Sequence, residues 1–484
     1  MSENTQTDCK PMTAKNQISQ VMADKKTPWK SIYISIGMQF IVGIQISLYF
    51  MSMWPYLSTL EPRVSIEMLG WIVAACSLGC SLANPLFGLW NQKALAVTNP
   101  VGVGMVLAAI GQLAYALLPS FSGGRLWIMI IARFVTGCGA GCLSVLRAYL
   151  SMASLPCDRL KAISFGTAGY VLGLSLGPAV QACFTPFGEQ GVQFLSVQLN
   201  MYTLPGYFMV LLSFLSILVM KLFFIEEYAG IIDKSTLNED EKVFIPKFDV
   251  IPALICIYLW MVINMIATNI EVISTPWTVA MYSWNDSQAV TYNAIIQACS
   301  CIVSVVFNII IGYTRIGKIE KRLQIIFGLS FFLLFHITNY PWPFYSGPLD
   351  FIPGNSTAEI GGCMPHFEWC LHTVRVPEVI YIVAYILFYG LAFPFVTSPS
   401  GTLFSEILGP RKQGGMQGIH SLGGSLAQFI SPIIATALFE RSGYQYVMVT
   451  QLCTVTLATI LVLGFYRRLV PLDLDKQSKI KGEP

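Results

Sequence analysis

Residues 31–60 read SIYISIGMQFIVGIQISLYFMSMWPYLSTL, a run without one Asp, Glu, Lys or Arg. A helix needs about 20 apolar residues to cross roughly 30 Å of hydrocarbon. This run is long enough to span. Outward from it lie nine more charge-free runs of at least 25 residues: 68–92, 94–124, 162–188, 190–220, 287–314, 323–349, 379–405, 413–439 and 442–466. Two further apolar stretches carry isolated charges. Leu126 to Ala153 holds Arg133 and Arg147, and Val250 to Tyr282 holds Glu271. Together these make twelve spans. Lipid offers backbone groups no partner, so each span is expected to be a helix.

Composition excludes the soluble alternative. Charged residues are 11% of the chain, against about 25% in soluble domains. Hydrophobic residues are 54%, so the expected partner is a lipid bilayer. A net charge of +3 is too small to point to nucleic acid. The first 30 residues are polar, with Lys10, Lys15, Lys25, Lys26 and Lys30, and do not read as a cleavable signal. That places the N-terminus in the cytosol, and an even span count returns the C-terminus there. Of 29 Lys and Arg residues, Arg63, Arg125, Arg375 and Arg441 fall on the far side and Arg133 and Arg147 inside a span. The remaining 23 are cytosolic, which fits the positive-inside rule.

The spans divide six and six around the charged stretch Glu226–Asp249. The expected plan is a tail (1–30), a six-helix half (31–225), a cytosolic loop (226–249), a second half (250–468) and a tail (469–484). This is an all-α membrane protein with the pattern of the major facilitator fold. The far-side loop 341–377 holds Asn355-Ser-Thr, a glycosylation acceptor on the correct side. Asn285-Asp-Ser is a second match, next to span seven. Cys363 and Cys370 share the long loop; in an oxidising compartment they form a bridge, and otherwise two free thiols.

Span four carries Arg133-Phe-Val-Thr-Gly137-Cys-Gly139-Ala-Gly141. The glycines let a neighbour approach closely. The arginine faces a cavity or locks two helices in an ion pair. Arg147, about 21 Å further along, snorkels to the headgroups, pairs at the interface or lines the cytosolic half of a cavity. Glu271, in the outer half of span seven, falls at the depth of Arg133. It can carry a coupling proton or form a static gate pair with that arginine. Asn264 and Asn269 add polar groups to the same helix. Gly169, Gly173, Gly177 and Pro178 mark span five as a packing and rocking surface. His420, in span eleven, reads as a satisfied interior histidine. The loops beginning at Gly88 and Gly312 lack the aspartate of the Gly-Asp-Arg motif usual in this fold. The chain has no nucleotide-binding loop, catalytic triad or metal-ligand spacing. Neither an enzyme nor a cofactor is expected.

Several stretches carry a resemblance by their order and spacing. They are Ser52-Met-Trp-Pro-Tyr-Leu57, Pro85-Leu-Phe-Gly-Leu-Trp90, Arg133 to Gly141, Val145-Leu-Arg-Ala-Tyr149, and Gln181-Ala-Cys-Phe-Thr185 through Gly191. Thr275-Pro-Trp-Thr, Met281-Tyr-Ser-Trp284, Cys363 to Cys370 and Ile407-Leu-Gly-Pro410 follow in the second half. Over residues 29–470 the chain resembles the major facilitator superfamily domain-containing protein 8 (ceroid-lipofuscinosis neuronal protein 7) family. The resemblance implies twelve spans in the endolysosomal membrane and solute transport, with chloride conductance proposed for the group. It also implies counterparts for Arg133, Arg147, Glu271 and the Cys363/Cys370 pair. Relatives carry an acidic dileucine sorting signal that this tail lacks. Tyr228-Ala-Gly-Ile231 and Tyr313-Thr-Arg-Ile316 are the tyrosine-type candidates.

The leading expectation is a monomeric alternating-access transporter of a small solute, with protons as coupling ion and an anion as the favoured substrate. An anion channel on the same fold and a non-transporting receptor or scaffold are the rivals.

Overall fold

The computed structural model describes residues 25–49, 52–61, 64, 67–188, 190–194, 197–231, 246–345, 347–351, 361–363 and 367–473. Helices occupy the apolar runs. Span one is built in two pieces, Trp29–Ser47 and Met53–Leu60. Pro55 sits in the first turn of the second piece, where a missing N–H costs least. Spans two, three, five and six are Glu67–Ala94, Thr98–Ala116, Arg159–Ala182 and Leu204–Phe223. Span four joins Arg125–Ala140 to Leu143–Ala153. Spans seven, eight and nine are Val250–Tyr282, Asp286–Tyr313 and Lys321–Asn339. Span ten runs from Glu378–Val383 through a π-turn, Ala384–Tyr389, into Gly390–Leu408. Spans eleven and twelve are Gly414–Ser442 and Tyr444–Gly464. Among the described residues eleven spans are stretches long and apolar enough to cross a membrane; in the first, the two helical pieces do not join into one such stretch. A short antiparallel hairpin, β1 (Val192–Phe194) and β2 (Val197–Leu199), joins spans five and six with Val192 opposite Leu199.

Each half has its own packing. The first is built around Leu146, Tyr149 and Met105, with a second cluster at Tyr49, Tyr56 and Tyr115. The second is built around Trp277, Phe332, Phe335 and Phe404. Lipid is as apolar as leucine, so burial does not drive helices together and close approach must hold them. Gly173 shows how close. A Cβ there would lie 2.1 Å from the Phe40 carbonyl oxygen. Gly169 and Gly177 meet Ile36 and Ser47 in the same way, so the stripe of span five, with Pro178 inside that helix, lies on span one. Gly137, Gly139 and Gly141 set span four against spans two and three, at Cys76, Ala108 and Ala83.

The two described ends of the chain and the central loop share one face. Lys25 Nζ donates to the Ile231 carbonyl at 3.2 Å and Thr27 to Asp158 at 2.7 Å. Arg468 pairs with Asp249 at 2.7 Å. We call this the tail face. Tyr228 donates its hydroxyl to the Leu95 carbonyl at 2.7 Å, and Ile231 is 3% exposed. The Tyr228–Ile231 motif is therefore tucked in, whereas Tyr313 is exposed.

The opposite, loop face carries the hairpin and the long loop after span nine. There Cys363 and Cys370 are bonded to each other. Arg375 pairs with Asp350 at 2.6 Å, and Ser283 donates to the same carboxylate at 3.1 Å. Asn285 caps span eight, its Oδ1 accepting the Gln288 N–H at 2.7 Å. Asn355 lies outside the described residues.

Candidate functional site

Between the halves lies a narrow cavity. Spans one, two, four and five wall it from one side and spans seven and eleven from the other. Arg147, on the second piece of span four, projects into it. The Trp260 ring of span seven lies 4.5 Å from the guanidinium carbon and the Tyr170 ring of span five lies 5.3 Å away. No acidic side chain lines this cavity among the described residues. A cation held between two aromatic faces in a partly dry place strongly favours an anion.

Apart from Arg147, the polar lining is uncharged and includes Asn84, Asn264, Ser421, Ser425 and Gln428. Asn264 donates to the Trp260 carbonyl at 2.7 Å and accepts from Gln428 at 3.1 Å. These bonds fix the helix turn that carries Trp260. Behind the indole stands His420, with ring centroids 5.3 Å apart, and Phe404 closes the stack at 4.8 Å. His420 is interior, as expected. It is not satisfied, because neither ring nitrogen has a hydrogen-bond partner.

The cavity is closed toward the tail face. Gln92 accepts the Gly415 N–H at 2.8 Å, Gln417 donates to Ser151 at 3.4 Å, and Asn84 donates to Ser425 at 2.9 Å. Gly88 makes the seal possible, since a Cβ there would meet the Gly414 carbonyl at 2.5 Å. On the other flank Phe165 packs on Tyr313 at 5.0 Å, and Lys161 lies 4.4 Å from the same ring.

Glu271 lies seven residues beyond Asn264, about 10 Å closer to the loop face. It is exposed, although its helix position is deep within the span. Gln297 approaches it at 3.5 Å, at the limit of a hydrogen bond. Tyr170 is within electrostatic reach of both Glu271 and Arg147. Tyr385 and Tyr389, from the π-turn of span ten, are within reach of Glu271 as well. Such turns recur at functional sites. The sequence reading missed this one, although tyrosines at 381, 385 and 389 followed by Gly390 mark the place. Asn269 points elsewhere. It is buried, accepts from Ser431 of span eleven, and borders a smaller cavity inside the second half with Trp277 and Tyr381.

Arg133 is not brought to Glu271. It is 1% exposed inside the first half, donates to the Ile46 carbonyl at 3.3 Å and lies over the Tyr49 ring at 5.9 Å. Its Nε and Nη1 have no partner. The two arginines of span four thus separate. Arg147 meets the cavity, and Arg133 meets the irregular stretch of span one.

A family model described as "Major Facilitator Superfamily" matches residues 35–364 and 351–483. The chain belongs to that superfamily. The resemblance read from the motifs is matched by a curated relative, "Major facilitator superfamily domain-containing protein 8" of Xenopus laevis, 28% identical over 94% of each chain. The fold is that of solved transporters. The human organic anion transporter MFSD10 (TETRAN) superposes with a TM-score of 0.62 at 13% identity, over 90% of this chain and all of that one. The proton:xylose symporter XylE, bound to 6-bromo-6-deoxy-D-glucose, gives 0.59 at 14% identity, over 96% and 99%. The chain is a multi-pass membrane transporter of this superfamily.

Proposed function

We propose that this transporter carries a small anion by alternating access, with Arg147 as the anion site and Glu271 as the proton carrier. The observation that carries the reading is Arg147, a guanidinium with no acidic neighbour in the cavity between the halves. Charge-assisted bonds to such a fork are strong and directional. Glu271 lies on the loop side of that site and meets no cation at ion-pair distance among the described residues. A carboxyl so placed can take and release a proton as the cavity opens to either side. The sealed tail face favours alternating access over a continuous anion pore. In this reading the tail face is cytosolic and the membrane is endolysosomal, as the family resemblance implies. The loop 341–377 is then luminal, with Asn355 as its glycan acceptor, while Asn285 is engaged as a helix cap.

The test is flux into liposomes holding the purified chain, against anions, amino acids and sugars, with and without a pH gradient. Anion uptake that responds to the gradient is expected. Arg147→Gln should end it. Glu271→Gln should leave exchange running and remove the response to the gradient. Uptake of a neutral solute that is indifferent to Arg147→Gln would overturn the proposal.

A further inference from the structure

We infer that the solute is a small monocarboxylate with a hydroxyl group beside its carboxylate, such as a 2-hydroxy acid. This rests on the anion reading and narrows it. Arg147 is the one charged side chain lining the cavity among the described residues. A second negative charge on the solute would go uncompensated there, and so would an ammonium group. The planar fork of the Arg147 guanidinium, beside Trp260 and Tyr170, suits a planar oxyanion.

The hydroxyl follows from two other groups in the cavity wall. Asn84 of span two is 2% exposed and Ser421 of span eleven 4%, yet Asn84 Oδ1 and Ser421 Oγ have no hydrogen-bond partner. Asn84 turns Nδ2 toward Ser425 and Cys80. Ser425 gives its one proton to Cys80 Sγ at 3.4 Å, so its oxygen accepts from Asn84 Nδ2 at 2.9 Å. That leaves the Asn84 carbonyl oxygen as a buried acceptor without a donor. A halide or a bare carboxylate brings no donor and would be repelled by it. A hydroxyl can give its proton to Asn84 Oδ1 and accept one from Ser421. Sites with such unpaired groups discriminate strongly against analogues that lack the matching hydroxyl.

The experiment compares ligands by the shift each causes in the unfolding temperature of the purified full chain. The probes are lactate against propionate, glycolate against acetate, and chloride. Half-maximal shift for each hydroxy acid is expected at least tenfold below its deoxy partner. Ser421→Ala and Asn84→Leu should each bring the pair within about threefold, and Ser421→Ala keeps the comparison readable if Asn84→Leu misfolds. Arg147→Gln should remove every shift. If propionate matches lactate and both need Arg147, or if chloride alone acts through Arg147, the hydroxyl inference falls and the anion reading stands. If no probe acts through Arg147, both fall.

Discussion

Arg133 and Arg147 sit fourteen residues apart on one span, and their surroundings differ in almost every respect. Arg133 is enclosed by its own half, 1% exposed, with Tyr49 and the Ile46 carbonyl as neighbours. Arg147 stands where the two halves meet, with Trp260 contributed by the other half. A cation inside one rigid body sees the same groups in every state of the cycle. A cation on the wall between two bodies changes its neighbours whenever they rock. The same side chain is therefore structural in one place and available for transport in the other.

The largest expected effect breaks or keeps that contrast directly. Arg147→Gln should lower anion uptake by more than about 100-fold, since two charge-assisted bonds at about 1.5–3 kcal/mol each are lost, with little change in melting temperature. Arg133→Gln should do the reverse. Uptake per folded molecule should stay within about threefold, while stability falls by about 1–3 kcal/mol through the lost bond to Ile46 and the space left behind. Both variants are compared by initial uptake and by thermal unfolding. Uptake abolished by Arg133→Gln and spared by Arg147→Gln would invert the roles.

A subtler break concerns Glu271. The matched depth of Arg133 and Glu271 suggested a pair across the halves, and the structure keeps them apart. A double-mutant cycle with Arg133→Gln and Glu271→Gln should give a coupling energy below about 0.5 kcal/mol, as for distant sites. A coupling of several kcal/mol, measured on unfolding, would mean that the two meet in the state that dominates in solution.

Two glycines extend the comparison from charge to packing. Gly173 sits within a half against Phe40, and Gly88 sits between halves against Gly414. Gly173→Val should stop the first half from folding, read as loss of the monodisperse protein. Gly88→Val should fold and fail to close the tail face. In that background a cysteine placed at 271 should be alkylated from the loop side about tenfold more slowly, because the closed-tail state is less populated. Unchanged alkylation would remove Gly88 from the gate.

Span number, the two halves and the small-residue stripes were legible in the sequence because hydropathy and glycine spacing act over long stretches. The site was legible only in part. Arg133, Arg147 and Glu271 stood out because charge is rare in lipid. Which of them shared a cavity did not, because helix rotation and the meeting of spans four and seven are tertiary facts. Trp260 and Tyr170 looked like any membrane aromatics until Arg147 was seen between them. The two-piece build of span one leaves little trace in a continuous apolar run, and the π-turn of span ten is equally silent in hydropathy. His420 was read as satisfied because buried histidines usually are; its stack between Trp260 and Phe404 puts rings, not acceptors, around it.

The smallest expected effect belongs to a third arginine, Arg375, which differs from the other two in having a partner outside the spans. Its hydrogen bond to Asp350, helped by Ser283, holds that carboxyl below its ordinary value. A carboxylate with a depressed folded value contributes stability that is complete above its unfolded value, about 3.9. That stability is lost only as pH falls through the lower, folded value. The loop clamp should therefore be as firm at pH 5 as at pH 7. Asp350 is exposed and Arg375 partly so, so the pair should contribute less than about 1 kcal/mol. The melting difference between wild type and Asp350→Asn should be small, equal at pH 7 and pH 5, and should shrink below pH 4. A difference that already vanishes at pH 5 would mean that the Arg375 contact does not persist in solution. The loop would then be held by the Cys363–Cys370 bond, the packing of Trp369 and its backbone hydrogen bonds.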